Sequence, residues 1–312
     1  MRARLSSPTP HGSSKAGQGI VLLLLAVACF ATLDTATKVV TAEVPLLMAL
    51  WFRYAIQAVG ATIWSWPGRG LKMVQTQRLD QQITRGVLMF AVTALAFASL
   101  TLLPVGEFTA IVMTTPLLVT LLAARVLGEH LSGLRVVLVM GGFVGTLAIA
   151  RPGGDFQSWA LLLPVGLVLA NAAFHLLTSH MMRSEDAHTT QFYSSWVGTV
   201  LAAIPLAWVW APIHNPIMWA CLLLMGLAGG TGHFLLIRAF TYAPASSLMP
   251  FTYAQIAFGM FGGWLVFSHI PDTWSLLGIA LIACCGVAGG LLTRRENQVL
   301  RYQAQHAADT PP

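Results

Sequence analysis

The sequence predicts an all-α membrane protein whose ten transmembrane helices form two inverted five-helix repeats. Three observations predict it. Of 312 residues, 56% are hydrophobic and only 9% charged, where a soluble domain carries about 25% charged residues. The apolar residues gather into ten runs, and a bilayer crossing needs about 20 residues. The second half also weakly echoes the first at spacings of 140 and 144 residues.

Residues 1–16 are Ser/Pro-rich and hold Arg2, Arg4 and Lys15, which reads as a disordered cytoplasmic tail. The apolar runs follow at 17–40, 46–66, 83–103, 108–127, 135–150, 159–182, 191–210, 218–242, 248–267 and 274–293. Residues 294–312 are polar and read as a second cytoplasmic tail, frayed at its end. The first run has a basic start and an Ala-Val-Ala-Cys29 stretch. It exceeds a signal-peptide core, and nine more runs follow, so it reads as an uncleaved span.

Positive residues set the orientation. With the N-terminus inside, the inner segments hold Arg2, Arg4, Lys15, Arg69, Lys72, Arg78, Arg85, Arg125, Arg135, Arg183, Arg294, Arg295 and Arg301. The other four, Lys38, Arg53, Arg151 and Arg238, fall in spans or near outer ends. Both termini are therefore expected in the cytoplasm, with the chain in the inner membrane.

The repeat rests on landmarks. Leu103-Pro104-Val105-Gly106 precedes span four as Ala243-Pro244-Ala245-Ser246 precedes span nine. Leu127-Gly128-Glu129 and Phe267-Ser268-His269 follow those spans. Gly142 and Gly145 in span five match Gly286 and Gly289 in span ten, with Arg151 and Arg295 beyond. The expected repeats are 17–151 and 158–293. Five spans per copy is odd, so the second copy lies upside down, an arrangement common in secondary transporters.

The chain resembles a ten-span drug/metabolite transporter of the EamA type. The resemblance is most specific from Arg238 through Tyr242-Ala-Pro244, Pro250, Tyr253 and Gln255 to Gly263-Trp264, Phe267 and Pro271-Asp272. Leu33-Asp34 to Lys38, followed by Trp51-Phe-Arg53-Tyr54, is similar to the subgroup of riboflavin and S-adenosylmethionine carriers. A Gly-Glu pair ends span four as Gly128-Glu129, but Ser268-His269 stands at the second position. The resemblance implies small organic solutes and, in most members, export.

Ionisable residues inside spans are costly and are functional candidates. Asp34 and Arg53 both lie about seven residues, or about 10 Å, from the outer ends of spans one and two. That equal depth makes an ion pair geometrically easy. Lys38 follows Asp34 at i+4 on the same face. The pair is either a charge cluster that opens with access or meets a zwitterionic solute, or a structural link between two helices. Asn171, His175 and Thr178 share a face of span six, and His233 sits among glycines in span eight. Either histidine carries coupled protons or rests neutral on a carbonyl. Pro250, Tyr253 and Gln255, and Thr114-Thr115-Pro116, mark helix breaks of the kind that line transport sites. Trp51, Tyr54, Tyr253 and Trp264 offer stacking surfaces for a planar solute or a cation. Trp64, Trp66, Trp208 and Trp210 read as interface anchors. Arg238 either snorkels to the inner surface or meets a substrate carboxylate.

Other classes fit poorly. The net charge of +6 is spread between apolar runs, so nucleic acid is not an expected partner. Cys29, Cys221, Cys284 and Cys285 lie in apolar stretches without metal-ligand spacing, and no metal or cofactor is expected. No phosphate-binding loop and no catalytic set stands out. Small-residue pairs such as Gly141/Gly145 and Gly259/Gly263 permit close packing within the chain first, and in a homodimer second. The expected function is a carrier that moves a small polar metabolite, such as an amino acid, outward by alternating access. Uptake of a vitamin or nucleoside-like cofactor, or export of a metal-chelating metabolite, is the alternative; a membrane-embedded enzyme is the reading from another class.

Overall fold

The computed structural model describes residues 13–100, 102, 105–129, 131–150, 158–268 and 272–309. Residues 1–12 of the expected first tail, together with Leu103, Pro104, Arg151, His269 and Pro271, lie outside them. So do the side chains of Lys15, Arg294 and Arg301.

Among the described residues the regular structure is helical. The helices are α1 (Ser13–Val40), α2 (Leu46–Arg69), α3 (Leu79–Leu100), α4 (Val105–Val112), α5 (Thr115–Val126), α6 (Gly133–Ala150), α7 (Leu162–Met181), α8 (Ala187–Ala203), α9 (Leu206–Val209), α10 (Pro216–Tyr242), α11 (Ala245–Leu248), α12 (Ala254–Phe267) and α13 (Thr273–Asp309). Six helical segments, those of α1, α2, α6, α7, α10 and α13, are long and apolar enough to cross a membrane. Several hydroxyls inside them bond their own helix. In α1, the hydroxyls of Thr32, Thr35 and Thr37 donate to carbonyls four residues earlier, so these hydroxyls need no partner outside the helix.

Two apolar runs are interrupted where the prolines predict it. The fourth breaks at Met113-Thr114, with Pro116 in the first turn of α5. The ninth opens with α11 and a 3-10 turn at Met249–Tyr253 before α12 begins. The seventh also breaks, at Pro205 between α8 and α9. The starts of α8 and α10 are capped: Asp186 accepts from the backbone N–H of His188 and Thr189, and Asn215 caps α10 ahead of Pro216.

Helical structure extends into the described part of both expected tails. α1 begins at Ser13, and Ala16 is buried. α13 runs on to Asp309. Its last segment is rich in Ala, Gln, Arg, Leu and Glu, all good helix formers, with no Gly or Pro to stop it. Glu296 on that extension pairs with Arg135 of α6.

Helices neighbouring in sequence are often not neighbours in space. α1 packs on α10 and α12, α2 on α8 and α10, α3 on α7 and α8, and α6 on α13. The contact of α1 with α10 is mirrored by that of α7 with α3, and α2 with α10 by α8 with α3. The α6–α13 contact needs glycine on both sides: a methyl at Gly145 would lie 2.9 Å from the Gly278 carbonyl oxygen, and one at Gly278 would lie 2.6 Å from that of Gly145. Large apolar side chains also cover much of the exterior, among them Leu162, Trp64 and Leu265, as a lipid-facing surface requires.

Candidate functional site

Two buried arginines, Arg53 and Arg85, and the histidines His175 and His233 gather where α2, α3, α7, α8 and α10 meet. Arg53 projects from α2, and its Nη2 lies 3.2 Å from Nε2 of His233 on α10. A guanidinium can only donate, so Nε2 of His233 accepts and the ring proton sits on Nδ1. That Nδ1 is buried without a partner, and so is Nε of Arg53. Phe30 of α1 packs 4.8 Å from the His233 ring.

Arg85 of α3 is fully buried. Its Nε donates to Thr178 Oγ1 of α7 at 2.8 Å, and its Nη1 donates to Ser194 Oγ of α8. Both hydroxyls send their own protons to carbonyls of their own helices, which leaves lone pairs for the guanidinium. The guanidinium lies over the Phe174 ring at 4.6 Å. Phe174 also meets the His175 ring at 5.4 Å and the His233 ring at 6.2 Å, so one aromatic ring joins Arg85 to both histidines. Nη2 of Arg85 and Nδ1 of His175 are buried and unpartnered.

A polar seam extends from this cluster along α8. Gln57 donates to Ser195 Oγ at 3.0 Å, and Gln191 donates to the Gly230 carbonyl at 3.2 Å. Gln82 reaches Thr190 at 3.3 Å and Glu185 at 3.0 Å, and Thr76 closes on the same Glu185 oxygen at 2.7 Å.

The structure thus joins Arg53, His233 and His175, and it adds Arg85, which the orientation count treats as a loop residue. It does not join Asp34 to Arg53. Asp34 instead accepts from Gln255 Nε2 of α12 at 2.9 Å. The physical reason is packing: α1 lies on α10 and α12, while α2 lies on α8 and α10, so equal depth does not bring the two side chains into contact. Lys38 likewise lies over the Phe267 ring of α12 at 4.5 Å. Tyr253 is a buried strut: its hydroxyl donates to the Met113 carbonyl at 3.1 Å, at the break between α4 and α5. Tyr54 is also buried, bonded to Met89 and Thr93 of α3. Trp51 is half-buried, edge-on to Phe52, and Asn171 is half-buried on α7. Arg238 donates to Tyr242 of its own helix at 2.8 Å.

A cavity of about 460 Å³ opens between α1, α12 and α13, lined by Ile20, Leu24, Phe251, Ala257, Ile282 and their neighbours. None of the cluster's charged residues lines it.

Residues 17–151 and 158–289 each match the model described as the EamA-like transporter family. The chain belongs to that family. The EamA-like chain is 29% identical to a riboflavin transporter of Rhizobium johnstonii, over 86% of this chain and 89% of that protein. It is 27% identical to the pseudopaline exporter CntI of Pseudomonas aeruginosa, over 86% and 95%, and 25% identical to an S-adenosylmethionine uptake transporter of Rickettsia conorii, over 68% and 72%. A solved crystal structure shares its fold, with a TM-score of 0.78 at 18% identity, over 89% of this chain and 98% of that one.

The EamA domain is therefore present twice, and the EamA-like chain is a multi-pass membrane protein of a transporter family. Its cluster draws on both domains: α2 and α3 come from the first, and α7, α8 and α10 from the second. Sequence reasoning missed Arg85 because it stands two residues inside an apolar run, where a basic residue reads as a boundary marker. The seam on α8 had a signal: Gln191, Ser194 and Ser195 fall at i, i+3 and i+4, one polar face on an apolar helix.

Proposed function

We propose that this chain is a secondary carrier of the inner membrane, with ten spans in two inverted five-helix repeats and both termini in the cytoplasm. It exports a small polar organic metabolite, an amino acid or a related compound, by alternating access. The observation that carries the reading is the buried cluster of Arg53, Arg85, His175 and His233 between the two EamA domains. Carriers built from inverted repeats hold their substrate near the midplane at the repeat interface, and ionisable groups in spans mark substrate or ion pathways. The mirrored helix contacts support two related halves that rock about that interface. The interrupted helices at Met113-Thr114 and Met249–Tyr253 occur at corresponding positions in the two domains, joined by the Tyr253–Met113 hydrogen bond.

The site residues in this reading are Arg53, His175 and His233, with Asp34 and Gln255 as a second polar contact between α1 and α12, and Arg85 joining the first group. Uptake of a flavin-like or nucleoside-like solute is the second reading, favoured by relatives named for riboflavin and S-adenosylmethionine. Export of a larger metabolite is favoured by the pseudopaline exporter relative.

Untargeted metabolite profiling of cells and medium separates these readings, comparing strains that overexpress the chain, lack it, or carry Asp34→Asn. A compound that accumulates outside only with the intact chain supports export and names the solute. A compound that leaves the medium supports uptake. If neither pool changes and purified protein in liposomes moves none of the candidate solutes, the carrier reading fails.

A further inference from the structure

The cluster between the two EamA domains holds more donors than acceptors. Arg53 and Arg85 bring two positive charges that a protein does not discharge by deprotonation, and among the described residues neither forms an ion pair. The acids on neighbouring elements hydrogen-bond elsewhere: Asp34, within electrostatic reach of Arg53 but not in contact with it, accepts from Gln255, and Glu185 accepts from Thr76 and Gln82. His233 stands within electrostatic reach of Arg53, Arg85 and His175 together, so these groups form one site.

The unpartnered atoms there are Nε of Arg53, Nη2 of Arg85 and the Nδ1 atoms of His175 and His233. The first two are N–H donors by chemistry, and His233 Nδ1 is one because its Nε2 already accepts from Arg53. A buried donor without a partner costs about 1–3 kcal/mol, and hydrocarbon offers no substitute for water. Gln57 Oε1 is a neighbouring acceptor, also unpartnered, as are the Gln191 and Gln82 amide oxygens along the seam. It faces Gly229 beside Arg53 Nε: a methyl at Gly229 would lie 3.5 Å from the first and 3.1 Å from the second. Neutral amide oxygens accept hydrogen bonds but do not balance two guanidinium charges.

We propose that the transported solute carries an oxyanion, a carboxylate or a phosphate, that docks between Arg53 and Arg85 and accepts from His233 Nδ1–H. This rests on the carrier reading. It narrows the solute to one bearing localised negative charge, and it makes Arg85 a substrate-binding residue. Phe174, already against Arg85 and both histidines, is the apolar wall beside the charged group. Planar donor forks favour bidentate contact with carboxylate or phosphate.

The test is thermal unfolding of the purified full chain in detergent, read from its ten tryptophans. The probes are succinate, inorganic phosphate and uncharged succinamide, at matched ionic strength set with sodium chloride. A saturable rise in melting temperature with succinate or phosphate, and none with succinamide, is expected. Which oxyanion gives the larger rise separates carboxylate from phosphate. Arg53→Gln and Arg85→Gln should each weaken apparent affinity at least about tenfold. Arg85→Lys keeps the charge and serves where Arg85→Gln does not fold. A flat response of the wild-type chain to both oxyanions at tens of millimolar overturns the proposal, as does a rise that survives in the Arg53 and Arg85 variants alike. Flux in liposomes distinguishes the two readings. An intact oxyanion response without any solute flux overturns the carrier and leaves the anion site. Flux of a solute that has no anionic group overturns the anion site and leaves the carrier.

Discussion

Arg53 donates to Nε2 of His233 at 3.2 Å across the contact of α2 with α10, and this one contact fixes the protonation of the imidazole. A second proton on the ring would remove the acceptor and set a new cation against the guanidinium. Protonation of His233 and its bond to Arg53 therefore exclude each other, and in the proposed carrier that exclusion would couple protons to the position of α2.

Replacement by glutamine tests that coupling, because His233→Gln keeps an acceptor for Arg53 but no longer titrates. If His233 carries the coupled proton, wild-type flux in liposomes should vary with pH, and His233→Gln should carry flux that no longer does. Identical pH profiles for the two proteins would reject His233 as the coupling group. His175→Gln is the matching control for the other histidine.

Asp34→Asn removes the charge that receives the Gln255 amide and leaves an acceptor oxygen in its place. The α1–α12 contact should survive, with melting temperature and oligomer profile close to wild type. Flux should fall at least about tenfold, the equivalent of about 1.4 kcal/mol lost from the rate-limiting step. Wild-type flux in a folded Asp34→Asn protein would remove Asp34 from the site.

Much of the charged cluster was legible because an ionisable residue inside an apolar run stands out, as Arg53, His175 and His233 do. Arg85 did not stand out, since a basic residue at the start of a run fits orientation as well as function. The partner of Asp34 was not legible either. Depth along a helix follows from counting residues, but the direction a side chain faces depends on which helix lies beside it. The chain packs α1 on α10 and α12, a choice made by distant residues such as Gly232, where a methyl would lie 2.7 Å from the Phe30 ring. The breaks at Pro116 and Pro250 were legible, since proline removes a donor locally whatever the packing. The helical extension of α13 was not, because its polar composition says nothing of the Glu296–Arg135 pair that ties it to α6.

Glu129 accepts from the backbone N–H groups of Ala245 at 3.1 Å and Ser246 at 2.8 Å. The acid that ends span four in the first domain therefore holds the entry to α11 in the second. Glu129→Ala strands both donors and should cost about 1–3 kcal/mol of stability. Glu129→Gln keeps one good acceptor and should lose less. Thermal unfolding in detergent checks the order. Equal melting temperatures for the wild type and Glu129→Ala would show that the two N–H groups find other partners.

Gly128 and Ser268, 140 residues apart, both sit in the left-handed region, at φ +66° and +54°, each just past the end of its helix. In the first domain glycine takes this conformation without strain. In the second, serine does so, with its N–H bonded to the Gly263 carbonyl. A side chain in that region costs about 1–2 kcal/mol, and glycine gives part of the gain back through a freer unfolded chain. Ser268→Gly should therefore raise stability by up to about 1 kcal/mol, and Gly128→Ser should lower it by a similar amount. Flux should change in neither, since both residues lie at helix ends away from the charged cluster. If Ser268→Gly lowered the melting temperature, the serine side chain would be making a contact worth more than the strain it bears.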